Sequence, residues 1–291
     1  MKGIILAGGL GSRLSPSTDA ISKQLLPVFD KPMIYYPLST LMLAEIRDVL
    51  VISTERDLPL FNNLLGDGSK FGINLSYQVQ EKPEGIPQAL IISEEFLQGS
   101  SVALILGDNI FYGHNFSDML LEAKTLIEGA HIFGFPVKDP ERFGVAEIDA
   151  DGEVMSIEEK PKNPKSSIAI TGLYFYENLA VDIAKNLSPS ERGETEISDL
   201  NEYYLKKGKL RCTNMGRGFA WLDTGTHEAL LSASRFVETI ENRQGFKIAC
   251  LEEIALQKNW ISTDFLESNL EKNTNSNYYK YISKIIDERK D

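Results

Sequence analysis

Cysteine is nearly absent: Cys212 and Cys250 are the only two in 291 residues, too few for a disulfide framework or a thiolate metal site. Both are expected to be ordinary reduced residues. Histidine is equally scarce, and His114, His131 and His227 are too scattered to suggest a metal cluster; the first two read as packing or local hydrogen-bonding residues and His227 as a helix start. Positive charge is in deficit, with 30 basic against 42 acidic residues and a net charge of −12. That balance argues against a broad basic face for nucleic acid. An anionic ligand must then be held by a local group of cations and backbone N–H groups, because the overall field repels it. No apolar run is long enough for a spanning helix or a signal-peptide core, and the short stretch Ile4–Ala7 ends at glycines. A cytoplasmic protein with neither membrane nor nucleic-acid partners is expected.

What is present is a large apolar fraction, 42%, enough for a substantial core. Ile4–Ala7, Val49–Ser53, Val102–Leu106 and His131–Pro136 are short, β-branched and apolar, the pattern of buried strands. Helical spacing lies between them: Ile34, Leu38, Leu41 and Met42 share one face. Leu58–Leu65, Pro87–Leu97 and Ser117–Ile127 are further helices, the last with Ser117 as N-cap. Strand–helix alternation predicts a Rossmann-like α/β fold, a mostly parallel mixed sheet flanked by helices. Later pieces, Val145–Ile148, Val154–Ile157 and Ile168–Tyr176, are strand-like, with a turn at Asp151–Gly152. Helices follow at Leu179–Asn186, Ile197–Lys206 and His227–Glu241. Tyr35, Tyr36, Tyr203 and Tyr204 fall in helical patterns and read as core or interface. The chain turns polar after about Ile261, with a surface loop at Asn273–Asn277. There is no internal repeat or long linker. One body is expected, with a catalytic domain over 1–241 (halves about 1–110 and 111–241) and a C-terminal helical extension over 242–291.

The run LAGGLGSRL follows the first strand directly. Gly8, Gly9 and Gly11 permit φ > 0 and remove side chains that would hold a ligand off the backbone, so successive N–H groups can form a nest for phosphate. Arg13 and Lys23 add cations. A tight strand–helix connection needing no ligand explains the glycines as well. A dinucleotide fingerprint would want glycine at position 14, which is Leu14, and no lysine follows a glycine as in a P-loop. Asp108–Asn109 reads equally as a turn, Asp223 as a helix-entry turn, EEKP as a charged strand end, and Arg192 as an exposed ion pair.

LAGGLGSRL followed by SKQLLPVFDKPMIYYPLSTLM resembles the opening of the sugar-phosphate nucleotidyltransferases, nearest their glucose-1-phosphate thymidylyltransferase branch. The resemblance continues through LLGDGSKFGI, LILGDNIFYGH, DPERFGVAEID, IEEKPKNPKS, TGLYFYE, RGETEISDLN, MGRGFAWLDTGTH and NRQGFKIACLEEIA, covering about residues 2–262. It implies transfer of a thymidylyl group from dTTP to glucose 1-phosphate with release of pyrophosphate. By this resemblance Gly8, Gly11, Ser12, Arg13, Lys23, Gln24, Gln80, Gly85 and Asp108 bind the nucleotide. Asn109, Gly144, Glu159, Lys160, Ile170, Tyr174 and Arg192 bind the sugar phosphate. Arg13, Lys23 and Lys160 carry the catalysis, and Asp108 and Asp223 hold Mg2+.

The chain departs from the family's pattern at Ser12 (usually threonine), Ile170 (usually valine) and around Glu81, Lys82, Ile86 and Pro87, which leaves strict thymine selectivity open. UTP or another hexose 1-phosphate is the nearest alternative, and a non-catalytic nucleotide-sugar binding protein the alternative of another class. The resemblance further implies a homotetramer, end-product inhibition away from the catalytic centre, and a product feeding dTDP-rhamnose-type and cell-surface polysaccharide synthesis.

Overall fold

The computed structural model describes residues 1–9, 11–149, 152–270 and 275–290. Among these, the strands are β1 Lys2–Leu6, β2 Pro27–Val28, β3 Lys31–Pro32, β4 Asp48–Ser53, β5 Asn74–Val79, β6 Val102–Leu106, β7 Asn109–Gly113, β8 Ala130–Pro136, β9 Gly144–Ile148, β10 Val154–Glu159, β11 Ile168–Tyr176, β12 Leu210–Asn214 and β13 Phe219–Asp223. The central sheet runs β10-β9-β11-β6-β1-β4-β5, with β8 against β11 and β12 against β8. Its N-terminal half is parallel, β6, β1, β4 and β5 lying side by side in one direction. Strand β11 reverses the direction and pairs antiparallel with β6, β8 and β9.

The apolar runs are strands because both faces of this sheet are covered, so alternation gives way to continuous apolarity. The period of two still decides which core each residue joins. Ile5, Val49, Val51, Ala103 and Ile105 enter one core, and Ile4, Leu50, Ile52 and Leu104 enter the other. The first core is closed by the helix Tyr35–Leu43 and by Leu251, Ile254, Leu266, Tyr278, Ile282 and Ile286 of the C-terminal helices. The second is closed by the helices Ala180–Lys185 and Ile197–Lys206.

Several expected elements shift. The helix expected from Ser117 runs Phe116–Lys124, entered through Asn115 in the left-handed region with no side-chain cap. Phe116 is buried against Phe111, ring centroids 5.5 Å apart, so packing, not capping, sets the start. Pro87–Leu97 divides at the buried Ser93 into Gln88–Ile92 and Glu94–Leu97. Asp151 of the expected turn, and Asn273 and Thr274 of the expected loop, lie outside the described residues; Asn277 opens the helix Asn277–Lys290. Tyr35, Tyr36 and Tyr204 are core residues, whereas Tyr203 is exposed. His131 stacks on Phe133 and shares a 2.7 Å hydrogen bond with Thr213, and His227 starts its helix.

The C-terminal helices are fastened by phenol–carboxylate bonds. Tyr278 donates to Glu252 at 2.6 Å and Tyr281 to Glu253 at 2.8 Å. Burial pushes the Glu252 carboxyl above its ordinary 4.5, against the opposing pull of the Tyr278 hydroxyl and the Lys70 charge. A carboxyl raised on folding binds its proton more tightly in the folded state. Its contribution is therefore complete below 4.5 and is lost as pH climbs through the raised value. Glu252→Gln keeps an oxygen for Tyr278 and removes the charged form. We expect its Tm to exceed the wild type's by about 2 °C or more at pH 8, with the gain vanishing near pH 4. Thermal unfolding at both values checks this, and a variant less stable at pH 8 contradicts it.

Candidate active site

From β1 the chain steps outward through β4 and β5, then returns to β6 on the other side of β1. This makes a topological switch point, and the crevice beyond the C-terminal ends of β1 and β6 is where ligands gather in an open α/β sheet. The glycine loop leaves β1 on one side of it, and Gly107–Asp108 leaves β6 on the other. Gly9 and Gly11 hold φ of 92° and 61°, which only glycine adopts without strain; Leu10 between them lies outside the described residues. Gly8 is needed for a different reason, since a Cβ there would sit 2.0 Å from Oε1 of the buried Gln80. Gly8, Gly11, Ser12, Arg13, Lys23 and Gln24 line a cavity of about 370 Å³ above this crevice.

A second cavity, of about 600 Å³, adjoins the first, with Arg13 lining both. Its wall brings together Asp108, Asn109, Gly144, Glu159, Lys160, Ile170, Tyr174, Arg192 and Asp223, all expected site residues from segments spread between positions 108 and 223. The junction is a two-stranded ribbon of β7 with β13, whose register sets Asp223 directly across from Asn109. Thr224 then donates to the Asp108 carbonyl from its backbone N–H at 3.3 Å and its hydroxyl at 3.0 Å. The two aspartates therefore line one cavity, one ending the turn after β6 and the other closing β13.

Each aspartate faces a cation. Lys23 forms a short ion pair with Asp108. Burial penalises the Asp108 charge, yet Lys23 and a 2.9 Å bond from Asn109 hold its carboxyl below the ordinary value. Asp223 accepts from the Gly225 N–H at 2.9 Å, and Arg142 stands 3.7 Å away, anchored by Asp139 at 2.6 Å. Among the described residues no three His, Cys, Asp or Glu side chains are grouped as a complete metal cage. Two carboxylates whose charge is met by side-chain cations nevertheless fit a hard cation that draws its other oxygens from phosphate and water.

Across the cavity, one carboxylate organises two cations. Glu159 accepts from the Ser198 hydroxyl with Oε2, while Oε1 lies 3.6 Å from both Lys160 Nζ and Arg192 Nη1. Those separations are too long for good hydrogen bonds, so both cations keep donors for another anion. Gly144 leaves the space for this group, because a Cβ there would meet Ser198 at 3.0 Å and Glu159 at 3.2 Å. Lys160 itself has φ 43° and is held by its N–H on the Phe143 carbonyl at 3.0 Å. Such a conformation costs a lysine on the order of 1 kcal/mol and concentrates at functional sites.

Gln80 and Gly85 line neither cavity. Gln80 lies under Gly8, at the edge of the smaller one. Gly85 bridges to Thr195, whose carbonyl oxygen would be 2.0 Å from an added Cβ; its glycine is required by this close backbone approach. Arg142, Ser198, Gly172 and Trp221 also line the larger cavity and were not singled out from the sequence. Trp221 Nε1 at 2.6 Å and the Gly172 N–H at 3.0 Å both donate to Asn109 Oδ1, which fixes the Asn109 amide. The aromatic in GFAWLD and the glycine interrupting β11 were the available signals. The cysteines take no part: both are free, and burial pushes the Cys212 thiol up to about 12.

Comparison with known proteins agrees with this geometry. The family model described as nucleotidyl transferase matches residues 2–240. The chain is 56% identical over 286 residues to a glucose-1-phosphate thymidylyltransferase of Neisseria meningitidis serogroup A, covering 98% of this chain and 99% of that one. It is 57% identical to one of Neisseria gonorrhoeae over the same shares. A Bacillus anthracis crystal structure in complex with sucrose, described under the same enzyme name, superposes with a TM-score of 0.75 at 44% identity, covering 81% of this chain and 94% of that one. With the glycine loop, the paired aspartates and this full-length similarity in agreement, the chain belongs to the nucleotidyl transferase family, within its glucose-1-phosphate thymidylyltransferase branch.

Proposed function

We propose that the chain joins glucose 1-phosphate to the α-phosphorus of dTTP, giving dTDP-glucose and pyrophosphate. The observation that carries this reading is the β7–β13 register. It sets two carboxylates at the seam between a glycine-lined cavity and a second cavity bearing Lys160 and Arg192. One cavity suits a triphosphate, the other a sugar phosphate, and the seam is where their phosphates must meet.

In this reading the loop N–H groups of Gly8, Gly11 and Ser12, with Arg13, Lys23 and Gln24, hold the triphosphate. Gln80 reads the base, and Gly85 lets the neighbouring backbone close over it. Lys160 and Arg192 hold the sugar phosphate and reduce the repulsion between two anionic reactants. Glu159 and Asn109 meet sugar hydroxyls, and Gly144, Ile170 and Tyr174 shape the wall behind them. The phosphate oxygen attacks the α-phosphorus in line, and the bond to the bridging oxygen of the leaving pyrophosphate breaks. No side chain forms a covalent intermediate, so the protein contributes positioning and charge neutralisation. Mg2+ held by Asp108 and Asp223 would neutralise phosphate charge in the transition state.

Residues 1–241 form the catalytic domain in this reading and 242–291 its helical extension. No helix among the described residues is long and apolar enough to cross a membrane. The two free cysteines suit a cytoplasmic setting, and the family resemblance favours a homo-oligomer. Incubation of the purified chain with dTTP, glucose 1-phosphate and Mg2+ is expected to release pyrophosphate and form dTDP-glucose. Competition between dTTP and UTP at equal concentration measures base preference. Absence of product with every nucleotide tried would sink the assignment.

A further inference from the structure

Gln80 does not stand alone at the edge of the nucleotide cavity. Its Nε2 donates to Oε1 of Gln88, the first residue of the helix Gln88–Ile92, at 2.6 Å. Gln88 Oε1 also accepts from the Glu84 backbone N–H at 3.2 Å, and Gln88 Nε2 donates to the Glu84 carboxylate at 2.9 Å. Glu84 is held in turn by Thr195, whose N–H and hydroxyl both donate to the Glu84 carbonyl at 2.9 Å.

An amide can usually be turned over to suit its surroundings. This pair cannot. A backbone N–H only donates and a carboxylate only accepts, so Gln88 has one workable orientation between them. Reversing it would set NH₂ against N–H and carbonyl oxygen against carboxylate. With Gln88 Oε1 fixed, Gln80 must present Nε2 to it. The Gln80 carbonyl oxygen is then left on the side of Gly8, where an added Cβ would lie 2.0 Å from it.

From this chain of donors and acceptors we infer that Gln88 is a positioning residue that selects imide pyrimidines by locking the Gln80 amide. The inference rests on the reading that Gln80 meets the base. A fixed acceptor demands a donor from the base, and thymine and uracil supply one in N3–H. Cytosine offers a lone pair at N3 and an amino group where the imide has a carbonyl. Two acceptors then oppose one another, and the spare Nε2 hydrogen faces another donor. The lock does not separate thymine from uracil, because their imide edges are the same. It discriminates by leaving polar groups unpaired, the strongest form of rejection open to a binding site.

The test measures kcat/KM for dTTP and for dCTP at saturating glucose 1-phosphate and Mg2+ in four variants. Gln88→Met removes the lock while keeping an unbranched helix former. Its dTTP-to-dCTP ratio should fall by about tenfold or more, with the KM for glucose 1-phosphate unchanged. The exchanged pair Gln88→Glu with Glu84→Gln restores an acceptor toward Gln80 and a donor–acceptor contact between the two positions. It should recover most of the ratio, whereas a loss of packing alone would not be repaired. Gln88→Glu alone, with two carboxylates facing each other, should lie between. Gln80→Ala separates the two ideas. If it collapses the ratio while Gln88→Met keeps the wild-type value, the lock is overturned and base reading by Gln80 stands. If Gln80→Ala itself keeps the ratio, base reading by Gln80 is lost and the lock with it. Should Gln88→Met fail to fold, the exchanged pair decides, and a folded exchanged pair without selectivity overturns the lock.

Discussion

Asp223→Asn is expected to slow pyrophosphate release by about a thousandfold or more, a loss of about 4 kcal/mol of transition-state stabilisation, with Tm held within about 2 °C. The substitution removes one of the two aspartate carboxylates assigned to the metal and with it charge needed for a hard cation. It does not disturb the local fold. The Asp223 oxygen that accepts from the Gly225 N–H is retained in asparagine, and the pairing of β13 with β7 is made by backbone. The contact with Arg142 is long, 3.7 Å, and its arginine is exposed, so its loss is worth little to stability. Initial rates at saturating substrates and a thermal scan give the two numbers. Near-normal turnover would remove Asp223 from the metal site, and a large fall in Tm would make its role structural.

The residues at this seam also mark how far the sequence could be read. Strands β1, β4, β6 and β8 were legible because full burial turns them into continuous apolar runs. Strand β5, NLSYQV, was not, because it is an edge strand with polar Asn74 and Ser76 turned to solvent. The ribbon strands NIFYG and FAWLD are shorter still and flanked by turn residues. Their pairing is what joins Asp108 to Asp223. It depends on register between segments more than a hundred residues apart, and no local pattern encodes that.

The candidate site residues were legible for another reason: their motifs resemble a family, and ten of them, Arg13 included, wall the larger cavity. Arg142, Ser198 and Trp221 were missed because their work is relational. Arg142 matters through Asp223, Ser198 through Glu159, and Trp221 through Asn109. Gly85 carries the same lesson in reverse. A glycine there was expected to let backbone groups approach a base, whereas the neighbour that excludes a Cβ is the carbonyl of Thr195, from the opposite half of the chain.

Lys23→Met should lower turnover by about a hundredfold or more and, in the absence of divalent metal, lower Tm by about 3 °C, the effect of roughly 2 kcal/mol. Lys23 and Asp108 are both largely withdrawn from solvent, with 13% and 22% of their side chains exposed. Removing the ammonium leaves a carboxylate with its burial penalty and no cation, the costly way to break such a pair. The partial exposure of both groups keeps the loss below that of a fully buried pair. Mg2+ should then return most of the lost stability, since it supplies charge to the same carboxylate. In the wild type the gain from Mg2+ is smaller, because the metal must first displace an ammonium already seated on Asp108. The two effects have opposite consequences for function. Mg2+ restores the fold of the variant but not its rate, because the side chain assigned to the departing phosphates is gone. Thermal unfolding of both proteins with chelator and with Mg2+, beside pyrophosphate release, separates these terms. If Mg2+ stabilises the wild type as much as the variant, the lysine and the metal do not share Asp108. A variant that regains its rate along with its stability would leave Lys23 only a structural counter-ion.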